Sequence, residues 1–213
     1  MFHRLGKTHY QKCHDSSFGI LDASYIYIMD TNKIEAGARL ILEGLGVDLA
    51  DSNFAQTPHR VAKVYQELFQ PPPTQWPVFD EDYTDMVIVR GHTFWTLCPH
   101  HLLPVRLVAS VGYIPRGKVI GASKLLRMIH GCNHAPMTQE ALTAAIIGHI
   151  RQVTGGTSEG EAVLLEGRHG CFEIRGVRSD ASMITCKFSG QFECEAELRR
   201  RFMDLARTGG NGR

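Results

Sequence analysis

Apolar residues recur with the helical period between Ile34 and Leu45, where Ala38, Leu40, Ile41 and Leu45 share a face and Gly46 supplies a stop. A second helical pattern opens at Thr57-Pro58, an N-cap followed by proline at the first helical position, and runs through Val61, Val64, Tyr65 and Leu68. Pro71-Pro72-Pro73 ends it, and the stretch to Pro77 reads as extended linker. After Asp85 the period shortens. Met86–Val89 and Thr93–Leu97 are short strand candidates, and Leu107–Ile114 is a longer one that ends in the turn Pro115-Arg116-Gly117. Ser123 is placed to cap a helix to about Cys132, and a longer helix is expected from Thr138 to about Val153. Glu161–Leu165, Cys171–Val177 and Met183–Phe192 alternate as three more strands. A last helix, about Cys194 to Ala206, carries an apolar stripe of Leu198, Phe202 and Leu205, with Glu195–Arg199 and Glu197–Arg201 paired one turn apart.

These elements sum to an α+β fold, helices first and an antiparallel sheet after them. The expected division is an N-terminal extension over 1–32, a helical region over 33–72, a linker over 73–85 and a catalytic domain over 86–213. The extension holds His3, His9, Cys13 and His14, whose spacing fits no metal pattern, and a solvated tail is the expectation. Met29-Asp30-Thr31 would itself make a natural start, so deletion of residues 1–28 is expected to leave activity unchanged.

Composition narrows the class. The chain of 213 residues is 43% hydrophobic and 21% charged, which calls for a packed core and not a disordered chain. Its 23 basic and 22 acidic residues leave a formal net charge of +1, so nothing drives it as a whole toward nucleic acid or a membrane surface. Six cysteines at irregular spacing do not form a disulfide framework and point to reduced thiols. The most apolar early stretch, Phe18 to Met29, is interrupted by Asp22 and makes no clean signal peptide, and no run is long enough to cross a bilayer. A cytoplasmic protein is expected.

The chemistry concentrates in two segments, Cys98-Pro99-His100-His101 and His169-Gly170-Cys171. Cys98 and His101 are spaced so that a thiolate and an imidazole can turn to one metal ion, and Cys171 can add a third ligand from a distant strand. Zinc accepts mixed sulfur and nitrogen ligands, and three protein ligands leave one position open, as in catalytic sites. His100 and His169 stand beside these ligands as proton-transfer groups. A metal able to activate water between two acid/base groups suggests hydrolysis. Two plainer readings compete: the cysteines as small buried hydrophobes, or a structural zinc closed by Cys132, Cys186 or Cys194.

Basic residues cluster where anions bind. Lys124 and Arg127 share a face of the helix opening at Ser123, whose first amides favour an anion. Arg175 follows Cys171 on the same expected strand, and Arg60 and Lys63 lie one turn apart on the second helix. Singly each reads as a surface charge; converging beside a metal they would clamp a polyphosphate. Glu140, in the first turn of its helix, is either a dipole partner or the acceptor for an N–H pair such as the edge of guanine, with Gln139 able to read the carbonyl side.

Taken in order, Thr57-Pro-His-Arg-Val-Ala-Lys63, Cys98-x-His-His101, Gly112-Tyr-Ile-Pro115, Val119-Ile-Gly-x-Ser-Lys124 with Arg127, Gln139-Glu140, His169-x-Cys171 and Arg175-Gly176 resemble the zinc-dependent GTP cyclohydrolase I family, from about Ile34 to Arg207. The resemblance implies a tunnelling fold: an antiparallel sheet with two long helices per subunit, subunits closing into a β-barrel ring, and typically a homodecamer of two stacked pentameric rings with active sites between subunits. It implies Cys98, His101 and Cys171 as ligands of Zn2+, His100 and His169 as the acid/base pair, and Glu140 and Gln139 as guanine readers helped by backbone near Ser123. It implies Arg60, Lys63, Lys124, Arg127 and Arg175 as the triphosphate clamp. The implied reaction converts GTP and water to 7,8-dihydroneopterin triphosphate and formate.

The sequence departs from the family in places. Pro99 stands where glutamate is usual, Asn133–Thr138 lacks the basic residues often found before the glutamine-glutamate pair, and Ile184-Thr-Cys-Lys187 replaces a threonine-rich strand. These changes leave the metal and clamp residues intact. Two alternatives stay open at this point: a variant that stops at the ring-opened formamide, and a zinc-stabilised scaffold that binds GTP without turnover. The retention of both His100 and His169 argues against the scaffold.

Overall fold

The structure, a computed structural model, describes residues 29–69 and 78–207. The expectations resting on residues 1–28 and on Pro71–Pro73 lie outside the described residues. The two early helical patterns become α1, Thr31–Gly44, and α2, Thr57–Leu68, packed against each other. Asp30 caps α1 by accepting the Lys33 N–H at 3.1 Å. Pro58 sits in the first turn of α2, where its missing N–H is no loss. The apolar stripe of α1 is covered only in part: Ala38 is buried, while Leu40, Ile41 and Leu45 stay exposed.

The stretch expected as linker contains β1, Val78–Asp80, which pairs antiparallel with β4, Lys118–Ile120. The main sheet is antiparallel, in the order β2 (Val87–Leu97), β3 (Pro104–Ile114), β5 (Gly160–His169), β6 (Ser182–Gly190). The two early strand candidates fuse into β2. An irregularity between Val89 and His92 accommodates Gly91 at φ 72°, a conformation glycine adopts without strain.

Between the strands lie α3, Ala122–Cys132, and α4, Gln139–Val153. The second of these begins where expected, with Thr138 as its cap, accepting the Ala141 N–H. Ser123 does not cap α3. Gly121 takes that place, and Ser123 is exposed within the first turn. The strand expected over Cys171–Val177 is absent. The chain leaves the sheet at His169, forms the short helix α5, Gly170–Glu173, and returns through a loop closed by the Ser179 N–H on the Phe172 carbonyl. β5 is already paired on both edges, with β3 and β6, so this segment could join the sheet only at the outer edge of β2 or β6, and it joins neither. Two helices end the fold: the short α6, Gln191–Cys194, and α7, Ala196–Arg207.

Strand alternation sends side chains to two cores. Val105, Leu107, Ala109, Val111 and Tyr113 of β3, with Val163 and Leu165 of β5, pack under Leu125, Met128 and Ile129 of α3 and Leu142, Ile146 and Ile150 of α4. Ile114, Ala162 and Leu164 face the other way, against Phe192 and Phe202. This is the expected α+β architecture, with α3 and α4 on one face of an antiparallel sheet and two helices ahead of it. No helix among the described residues is long and apolar enough to cross a membrane.

Candidate metal centre and its surroundings

Register explains how residues seventy apart in sequence meet. Pro104 opens β3 opposite Leu97, and Val105 lies opposite His169 at the end of β5. The β2–β3 connection and the start of α5 therefore share one end of the sheet. The connection is tight: the Cys98 N–H donates to the Leu103 carbonyl at 2.9 Å and the Leu102 N–H to the Cys98 carbonyl at 2.8 Å, with Leu102 at φ 54°. Pro99 needs no N–H there, because the loop is closed by its neighbours. Across the gap, a side chain at residue 170 would meet the Pro104 carbonyl at 2.9 Å, so Gly170 lets α5 approach the loop.

The result brings Cys98, His101 and Cys171 together, with one donor atom from each lying within 4.8 Å of the others. Cys98 Sγ is 3.8 Å from His101 Nδ1 and 3.7 Å from His100 Nδ1. Ligand atoms of a tetrahedral zinc with two sulfurs and one nitrogen stand roughly 3.5–3.8 Å apart, so the Cys98–His101 separation suits such an ion and Cys171 adds a third donor of the right chemistry within 4.8 Å. Cys98 is buried, Cys171 half-buried and His101 exposed, which leaves one side of the cluster accessible. Burial first, and then the Cys98 thiol, push the Cys171 thiol above the ordinary cysteine range. The competing closure by another cysteine finds no support among the described residues, where the only such cluster is Cys98, His101 and Cys171. Cys132 is buried, with its thiol pushed up to about 12 by desolvation.

His169 is 9% exposed and stacks on Phe172 at 5.1 Å between ring centres. Burial holds its pKa below the ordinary histidine range, and the charge of Glu140 opposes that shift. Gln139 is 4% exposed, and its carboxamide is engaged within the fold. Its Nε2 donates toward the Leu165 and Met183 carbonyls and Thr185 Oγ1, while Oε1 lies 2.9 Å from His169 Nε2. Glu140, the next residue, is exposed. Arg175 lies on the loop after α5, not on a strand, and its guanidinium donates to His101 Nε2.

The other basic residues are not joined to this cluster within one chain. Lys124 and Arg127 flank the apolar face of α3, and Arg60 and Lys63 are exposed on α2. None of the four side chains makes a hydrogen bond or ion pair among the described residues. The sheet end thus gathers three soft donors able to hold a metal, two histidines, one carboxylate and one arginine. Two contributors had no sequence signal in isolation: Phe172, which backs His169, and Gly167, opposite the Gln139 carboxamide.

The family profile described as GTP cyclohydrolase I matches residues 34–207. A GTP cyclohydrolase 1 from a Sulfurihydrogenibium species is 40% identical over 182 residues, spanning 84% of this chain and 96% of that protein. One from Hyperthermus butylicus is 38% identical over 177 residues, 80% of this chain and 88% of that protein. Among solved structures, an archaeosine synthase QueF-Like in the apo form overlaps 52% of this chain and 96% of its own, with 16% identity and a TM-score of 0.40.

Proposed function

The chain belongs to the GTP cyclohydrolase I family, and from that premise we propose that it hydrolyses the guanine imidazole ring of GTP and rearranges the product to 7,8-dihydroneopterin triphosphate with release of formate. The observation that carries the reading is the convergence of Cys98, His101 and Cys171 to within 4.8 Å, with His100 Nδ1 3.7 Å from Cys98 Sγ and His169 two residues before Cys171. Cys98, His101 and Cys171 would hold Zn2+. Bound there, zinc supplies the lowered water pKa that makes hydroxide available near neutral pH.

This chain's own residues do the rest. Glu140, exposed at the start of α4, accepts the N–H pair of the guanine edge and orients the base. His100 and His169 hand protons to and from the ring nitrogens as the imidazole ring opens, the ribose rearranges and the pyrazine ring closes. Arg175, already at the cluster, anchors one end of a triphosphate clamp that Lys124, Arg127 and the amides near Ser123 extend. Arg60 and Lys63 complete it from a neighbouring subunit in a homo-oligomer, a decamer of two stacked pentameric rings. The triphosphate takes no part in the chemistry; its binding energy holds the base in place. The catalytic unit is residues 86–213, behind the helical region 33–72 and the segment 73–85, and it works in the cytoplasm.

The test is metal content and formate release measured on one purified sample. About one zinc per chain with stoichiometric formate and a dihydropterin absorbance supports the reading. A product retaining the formyl group would mean a reaction stopped at the formamide. Zinc and GTP binding without turnover would mean a scaffold.

A further inference from the structure

The carboxamide of Gln139 can be oriented from its surroundings alone. One of its ends faces two backbone carbonyls, Leu165 at 3.1 Å and Met183 at 3.0 Å, with Thr185 Oγ1 at 3.1 Å. A carbonyl only accepts, so that end is the NH2 group. The opposite end, 2.9 Å from His169 Nε2, is therefore the oxygen. Being an acceptor only, it requires a hydrogen on His169 Nε2.

The carboxamide is braced in that orientation. Thr143 Oγ1 donates to the Gln139 carbonyl at 2.7 Å and lies 2.7 Å from Thr185 Oγ1, joining α4 to β6 behind the glutamine. Gly167 makes the room: a Cβ there would fall 2.2 Å from Gln139 Oε1. With 4% exposure and both ends of the amide engaged, Gln139 has little left to offer a base, unlike Glu140 beside it.

We propose that Gln139 is a positioning residue, not a reader of guanine: its oxygen holds His169 in the tautomer protonated on Nε2 and leaves Nδ1 as the nitrogen that exchanges protons. Gly167 belongs to the same device, as the space the oxygen occupies. In its kinetic consequence the inference rests on the proposed reaction.

Two measurements on the full-length protein test it. Nitrogen-15 NMR of histidine-labelled protein, above the ordinary histidine pKa range, reads the tautomer, with the His169 signals identified by their loss in His169→Phe. The expected result is an Nε2–H tautomer in the native chain, giving way to a mixture in Gln139→Met and in Gly167→Ala. An Nδ1–H tautomer in the native chain, or no change in either variant, overturns the proposal. Gly167→Ala keeps the glutamine and displaces its oxygen, at the cost of a contact with Leu107 Cδ2 at 2.9 Å, so it serves if Gln139→Met fails to fold. In turnover, both variants should lose roughly 100-fold or more in kcat with little change in the Kd for GTP. Weakened GTP binding with kcat retained would make Gln139 a base reader and overturn the proposal. If the native chain releases no formate, the proposed reaction falls, and the tautomer measurement still decides this inference.

Discussion

The Ile120 N–H donates to the Tyr113 phenol oxygen at 2.7 Å, tying the last residue of β4 to the buried end of β3. Tyr113 is fully buried, and burial raises its pKa, so the phenol stays neutral. The next residue, Gly121, opens α3, the helix that carries Ser123, Lys124 and Arg127. One hydrogen bond thus fixes where the proposed phosphate-binding helix begins.

Tyr113→Phe removes the acceptor and leaves the buried Ile120 N–H unpaired, a loss of about 1–3 kcal/mol. The expected outcome is a lower melting temperature and a weaker affinity for GTP, with kcat at saturating GTP changed less. Thermal unfolding and a GTP titration check both; unchanged affinity would separate β4 from the phosphate-binding helix.

Cys98→Ser and Cys171→Ser each remove one soft donor from the cluster, and each should lower bound zinc at least about tenfold, since thiolate is the preferred ligand type. Chelation should lower the melting temperature of the native chain and leave that of the serine variants nearly unmoved. Cys132→Ser is the contrast: its thiol lies outside the cluster, so metal content should hold even where packing suffers. Metal analysis of the purified variants decides.

His92 Nε2 and His130 Nε2 lie 3.0 Å apart, linking β2 to α3, and Phe94 packs against both rings. Burial holds both pKa values below the ordinary histidine value, and for His92 the neighbouring His130 adds to the shift. The unfolded chain therefore binds protons more readily than the folded one. The pair's contribution is fully present above about pH 6.5, and is lost as pH falls through the lowered folded values. Melting temperature should drop as pH falls from neutral toward the acid range, and His130→Gln should flatten that dependence. Equal slopes for the native chain and the variant would exclude the pair as its source.

Gly190 sits at φ 57°, and a Cβ there would meet the Glu159 carbonyl oxygen at 2.2 Å. The contact is backbone on backbone, where Gln191 donates its N–H to that same carbonyl, so no side chain can rotate away. Gly190→Ala should cost more than about 2 kcal/mol, from backbone strain and displacement of the β5–β6 junction. Gly37→Ala is the control: an added Cβ there meets nothing within 4 Å, and helix propensity favours alanine by roughly 1 kcal/mol. Denaturant unfolding of the two variants compares them.

Where a local rule governs, the sequence was readable. Helical periods, the start of α4 and most of the strands were visible because each depends on residues close together in the chain. The candidate donor group was visible for a related reason: Cys98 and His101 lie within one short segment, and sulfur and imidazole donors suit one soft cation. What failed was what depends on partners. The strand expected over 171–177 became α5 and a loop, because a strand needs an edge to pair with and this segment turns away from the sheet at Gly170. Leu40, Ile41 and Leu45 of α1, apolar by pattern, stayed exposed, because burial needs an opposing surface and α1 packs mainly on α2.

The sequence by itself determined the donor chemistry, the histidines beside it and the α+β class. Tertiary structure alone decided that β3–β5 register would set Val105 beside His169 and so bring Cys171 to Cys98. It also decided that Gln139 would turn inward to His169 while Glu140 stayed outside. Successive residues on a helix project about 100° apart, so sequence neighbours can serve a buried network and an open site. Which one does which depends on the sheet beneath them.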